Sequence, residues 1–267
     1  FVKFNLNGEF IGIYAYEEHF NDALLYKQQR EPGPIYRLNE DALWEFSSKG
    51  LLEKMSLFES AHIEAFGGAS ALKDEAFKEK FVKGQNLLFN YLNGKSSVGN
   101  FIDMEQMAKF TAIMDVCMAY HGFGATNQRF YYNPVTQKLE PIGFDGFSHE
   151  PYTKYYFHGM GARNANHART DQAVQRLFLD EEFTKLYVKY LFKYTSRKYL
   201  NTFFNSIEGE AAKRLRWLES EFPEYTFKPE RFIELAQIIH LQIEPYQQSL
   251  KIFTQSKEQY RVHYKSI

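Results

Sequence analysis

The residues of this chain best suited to chemistry lie in one stretch, HGFGATNQRFYYNPVTQKLEPIGFD, running from His121 to Asp145. Asn127 ends a loop ahead of an aromatic run, and Asp145 follows a second run. Phosphoryl transfer of the protein-kinase type requires an Asn and an Asp at such places, because both must reach magnesium ions that bridge nucleotide phosphates. Each residue also has a plainer use. Asn127 suits the cap of a turn or of a strand, and Asp145, beside Gly146, suits an ordinary turn. No carboxylate occurs between Val116 and Glu140. His121 is therefore the nearest group able to accept a proton, with Asp115 one to two helical turns earlier. The competing role of His121 is that of a helix C-terminal residue bonded to free carbonyls.

Other chemically capable residues are less well placed. His149, His158 and His167 recur nine residues apart and could join Asp171 around a metal, but they lack the spacing that sets ligands on one helical face. Gly159-Met-Gly161 and Gly67-Gly68 are too sparse for a phosphate loop. The Phe and Tyr residues of 183–204 fall at core spacing, and Lys185, Lys189, Lys193, Arg197 and Lys198 between them form a basic face, either solvated or open to an acidic partner.

These residues need elements to hold them. Residues 2–7 and 9–16 are β-branched and aromatic and meet at Asn7-Gly8, a strong hairpin signal. Residues 17–30 turn helical, and Glu31-Pro32-Gly33-Pro34 breaks the pattern ahead of an extended stretch, Ile35 to Leu38. Helices are expected at 51–66, 73–93 and 103–120, with Asp103 capping the third. A second hairpin is expected at 129–144, turning at Pro134 to Gln137. Residues 148–170 show no clear period and read as a long irregular segment. Helices return at 171–178, 180–194, 196–219 and 229–253, with Pro223 and Pro229 as punctuation and Pro245 as a kink or break. The two hairpins are expected on either side of a cleft, with Asn127 and Asp145 pointing to one centre at its mouth.

Together with LNGEFIGIYAYEE (residues 6–18), the 121–145 stretch resembles the spore coat protein H (CotH) kinase-like family, whose members carry an NGxYxGxYxxxE hairpin and later an N-x-x-Y, hairpin, WD segment. LFLDEEFTKLY (177–187) is similar to the helical stretch that follows in that family, and the likeness covers most of residues 2–220. The resemblance implies an α+β, atypical protein-kinase-like fold: a mainly helical large lobe with two short β-hairpins. Residues 1–40 would be the end of the small lobe and the hinge, and 41–267 the helical large lobe with hairpin 129–144 inserted. ATP and Mg2+ (or Mn2+) would be the cofactors and a protein Ser or Thr the acceptor. Asp145 matches the metal-binding Asp, with Phe144 in place of Trp, and Asn127 the Asn that holds metal or nucleotide. Glu18 falls at the hinge facing the adenine, and Arg37 stands where the family often has Lys. By themselves, Glu18 reads equally as a solvated carboxylate in a first helical turn and Arg37 as a surface residue. Two departures matter. Gly122 occupies the position of the catalytic base Asp, leaving His121 as the substitute, and Phe147 replaces a second acidic metal ligand. Efficient phosphoryl transfer is therefore not expected of this chain.

Composition narrows the field further. At 267 residues the chain has room for one large two-part unit or two small domains. With 44% hydrophobic residues, 26 Phe and 19 Tyr it must fold around a core, and 32 basic against 33 acidic residues provide no global field for nucleic acid or an anionic membrane. The single cysteine, Cys117, excludes an intrachain disulfide. No apolar run is long enough to span a bilayer, and Phe1 opens directly into strand-like sequence, without the pattern of a signal peptide. Two function classes stand: an ATP- and metal-dependent kinase of protein Ser/Thr, active or degenerate, and a non-catalytic surface or scaffold protein binding a protein partner. The resemblance suggests a bacterial spore surface or exported setting.

Overall fold

The computed structural model of the chain describes residues 1–50, 61–68, 72–94, 96–124, 126–146 and 172–259. The expected helix at 51–60, Phe147, the irregular 148–170 segment with its three histidines, and Asp171 lie outside the described residues. Within them the fold is mixed α+β with two small antiparallel sheets, and no helix is long and apolar enough to cross a membrane.

The first sheet is the opening hairpin alone, β1 (Val2–Leu6) with β2 (Glu9–Tyr14). Asn7 and Gly8 take the positive φ angles, 53° and 87°, of a type I′ turn, as the sequence predicts. The second sheet has the order β4-β3-β5-β6. Its strands are β3 (Ile35–Leu38), β4 (Ile63–Ala65), β5 (Arg129–Asn133) and β6 (Lys138–Ile142). Strand β4 overturns part of the expected helix at 51–66: three residues pair with β3, where tertiary pairing outweighs a short helical period. The turn joining β5 to β6 is fixed by Asn133, whose Oδ1 accepts from the amide of Val135 at 2.9 Å.

Helices cover the second sheet and build the core. They are α1 (Asp22–Lys27), α2 (Asp41–Ser48), α3 (Glu75–Leu92), α4 (Met104–Val116), α5 (Gln172–Leu179), α6 (Glu181–Thr195), α7 (Arg197–Glu221) and α8 (Pro229–Gln259). Asp103 caps α4 as expected, accepting from the Gln106 amide at 2.9 Å. Helix α1 is shorter than the 17–30 period suggested, because Asn21 caps it and Glu17 to Phe20 run irregularly before it. Helix α8 continues through Pro245, where the sequence predicts a kink or break. The core is an aromatic and aliphatic layer between α4, α6, α8 and the sheet, with Tyr36, Tyr91, Tyr187, Phe123, Phe130 and Phe183 fully buried.

The hairpins are partnered differently from the expected arrangement across a cleft. The first docks on α7: the Ile13 amide donates to Glu221 at 2.7 Å, Arg214 donates to the Phe1 carbonyl at 2.5 Å, and Lys3 lies over Trp217. The second is built into the four-stranded sheet. What they share lies just beyond their last strands, where Glu17 to Phe20 and Phe144 line one recess.

Candidate functional site

The recess is an open space of about 380 Å³ lined by Glu17, Glu18, His19, Phe20, Arg37, Glu40, Phe66, Arg129 and Phe144. Its floor follows from strand register. Arg37 on β3 stands directly opposite Arg129 on β5, and Glu64 on β4 stands opposite Arg37 from the other side. Glu64 holds Arg37 by an ion pair of 3.1 Å. Among the described residues no carboxylate forms an ion pair with Arg129, although its residue is only 4% exposed. Its Nη1 donates to the carbonyls of Thr126 (2.6 Å) and Gln128 (3.1 Å). The guanidinium faces three phenyl rings, Phe144 at 4.4 Å and Phe66 and Phe20 at 5.6 and 5.7 Å. Its Nε has no hydrogen-bond partner among the described residues. Burial and the facing Arg37 lower the Arg129 pKa, and the charges of Glu40 and Asp145 oppose that shift. Gln128 Oε1 likewise has no hydrogen-bond partner among the described residues.

Around the rim, Glu18 pairs with Lys27, and Glu40 accepts from Trp44 Nε1 at 3.0 Å. Two of the residues expected to hold a nucleotide, Glu18 and Arg37, thus share this recess. The others stand next to it. Phe144 leads into Asp145, which adopts a left-handed φ of 48°. That conformation is rare for a non-glycine residue but tolerated best by Asn and Asp.

Asn127 and Asp145 do converge on one centre, and it is the imidazole of His121. His121 sits in a 3₁₀ turn, Tyr120–Phe123, after α4. Its Nδ1 lies 3.1 Å from Asp145 Oδ2, 3.2 Å from the Asp145 carbonyl and 2.8 Å from Asn127 Nδ2. Nδ1 cannot donate and accept at once. The arrangement satisfying most contacts has Nδ1–H donating to Asp145 while Asn127 Nδ2 donates to the His121 carbonyl at 2.9 Å. A neutral ring so held carries its lone pair on Nε2, the geometry of a carboxylate-oriented proton acceptor. Asp115 is buried in the core and accepts from Tyr187 at 2.5 Å.

Gly122 is closed to any side chain. A Cβ there would stand 2.9 Å from the Phe144 carbonyl oxygen and 2.5 Å from Met114 Cε. The turn after α4 and the loop after β6 approach closely, so the position at which the resemblance expects a base Asp has no room for its side chain.

The donor set does not fit the magnesium or manganese that the resemblance implies. It offers one carboxylate, already engaged by His121, and an amide whose nitrogen faces the imidazole. Among the described residues no three His, Cys, Asp or Glu side chains are grouped to hold a metal, and hard divalent ions need several oxygens. No protein-family model matches the chain, and no curated protein matches it.

The sequence offers no direct pointer to Arg129, Glu40, Phe20 and Phe66 as lining residues, and Phe144 enters only through the resemblance. The one signal is a charged residue opening RFYYN, a strand whose five residues are all buried. A buried strand that carries Arg must give its charge somewhere to go.

Proposed function

We propose that this chain is a kinase-like domain that binds a nucleotide in the recess and transfers phosphoryl groups poorly. The observation that carries this is the meeting of Glu18, Arg37 and Phe144, from three distant segments, in one open recess, with Asp145, His121 and Asn127 beside its edge. The phenyl rings supply faces for a base, and the arginines supply charge for phosphates. His121, held by Asp145, is the proton acceptor for any residual transfer. Gly122 explains why transfer is weak, since general base catalysis is worth a factor of about 10² to 10⁴.

A thermal-shift titration of the chain with ATP, with and without magnesium or manganese, tests binding. A ligand that binds only the native state stabilises it by about 2.7 kcal/mol at one hundred times its Kd, so the melting temperature should rise with ATP. No rise under any condition would refute nucleotide binding. A radiolabelled-ATP assay with casein-like and histone-like acceptors, beside Asp145→Ala, tests transfer; robust Asp145-dependent incorporation would refute its weakness.

A second reading, a non-catalytic domain that binds a protein partner, is favoured by the first hairpin. Leu6, Phe10, Ile11 and Tyr14 are all exposed there.

A further inference from the structure

We propose that Arg37 and Arg129 bind the phosphates of the nucleotide directly, so that this site needs no divalent cation. The inference rests on the nucleotide-binding reading above and goes beyond it in naming what neutralises the ligand.

Like charges placed directly opposite on neighbouring strands are destabilising, yet the β3–β5 register sets Arg37 against Arg129. The repulsion is only half relieved. Glu64 reaches Arg37, whereas Arg129 is left with two carbonyls, three phenyl rings and an unpartnered Nε. Glu40 and Asp145 act on Arg129 through charge but not through an ion pair, and a buried cation so left is costly. Phosphate oxygens are the ligand groups that relieve both guanidiniums at once, because planar N–H forks match them in bidentate geometry.

In kinase-type sites divalent metal supplies the charge that offsets the phosphates. Here the metal's usual ligands are spent: Asp145 is engaged by His121, and position 147 is Phe. With Glu64 paired to Arg37, the two guanidiniums bring one net positive charge, together with N–H forks that a metal ion lacks. The remaining charges of the recess set where the phosphates lie. Glu18 is offset by Lys27, whereas the Trp44 N–H leaves Glu40 its charge, so Glu40, like Glu17, disfavours phosphate beside it. The phosphates therefore belong over the two guanidiniums, at the Phe144 side of the recess.

The test is calorimetric titration of the 267-residue chain with ATP, in EDTA and then with magnesium or manganese. Four proteins are compared: wild type, Arg37→Met, Arg129→Met and Asp145→Asn, each checked by near-UV circular dichroism. ATP is expected to bind in EDTA within about threefold of its affinity with metal, a difference below 1 kcal/mol. Each arginine variant should weaken binding by about tenfold or more, as loss of a charged hydrogen bond does, while Asp145→Asn, which removes a carboxylate charge near the phosphates, should not weaken it. If Arg129→Met fails to fold, half-exposed Arg37→Met still decides the matter. Binding that requires metal and is lost in Asp145→Asn would overturn this inference and leave nucleotide binding standing. Absence of ATP binding in both buffers would overturn the reading of the recess and the inference with it.

Discussion

At the scale of single residues, two positions decide what the site can do. Gly122 is where the proposed kinase-like reading would expect a base Asp. Because the Phe144 carbonyl fills the space of its Cβ, Gly122→Asp should destabilise the protein by about 1–3 kcal/mol, the usual cost of overpacking, and should not raise phosphoryl transfer. Denaturant unfolding beside the radiolabel assay checks both halves. Arg129 is the opposite case, a residue whose place in the fold is unfavourable. Arg129→Met replaces a buried guanidinium that has no carboxylate partner by an apolar chain of similar length. Stability should be unchanged or higher by up to about 4 kcal/mol, as for other buried charges replaced by hydrophobes. A fall of more than about 3 kcal/mol in thermal or denaturant unfolding would mean that its carbonyl and ring contacts outweigh its desolvation.

At the scale of elements, the four-stranded sheet carries the site and has its own sensitivity. Tyr36 on β3 and Tyr131 on β5 are almost fully buried, and burial pushes both phenols up, Tyr131 to about 12. Tyr36 donates to the Phe81 carbonyl at 2.7 Å and Tyr131 to the Glu31 carbonyl at 2.6 Å, so their neutral forms are built into the packing. A pKa raised above its unfolded value of 10.0 contributes stability that is fully present below pH 10.0 and lost as pH rises through the folded value. The protein should therefore weaken between pH 10.0 and about 12. In an alkaline titration followed by phenolate absorbance, these two tyrosines should ionise only with unfolding, and Tyr131→Phe should reduce the loss. The second hairpin is also pinned to the segment before β3, since Arg30 donates to Glu140 at 2.7 Å and Asn133 donates to the same carboxylate at 2.6 Å. That anchoring explains why a hairpin legible in isolation ended as two strands of a larger sheet.

At the scale of the whole molecule, the first hairpin and the helical body are joined through α7. Glu221 accepts the Ile13 amide, and its Oε1 would stand 2.9 Å from a Cβ at Gly12, so the backbone approaches the carboxylate closely only because residue 12 is Gly. Glu221→Ala should loosen the hairpin without touching the core. Hydrogen exchange is expected to accelerate across residues 2–14 and to stay unchanged in α4 and α6, since local opening draws on few contacts; uniform acceleration would show that the hairpin is part of the global cooperative unit. The sequence by itself determined what short-range chemistry dictates. The Asn7-Gly8 turn, the Asp103 cap, the 129–144 hairpin and the four tail helices each follow from turn geometry, capping or a period of three to four residues. It also singled out His121, Asn127 and Asp145, because their types and order carry meaning before any folding. Only the tertiary structure decided that His121 stands between the other two, that Gly122 is sealed by a carbonyl, and that Arg37 faces Arg129. Those facts depend on which strands pair and in what register. Register is set by the balance of burial over the whole sheet, and no window of neighbouring residues contains that balance.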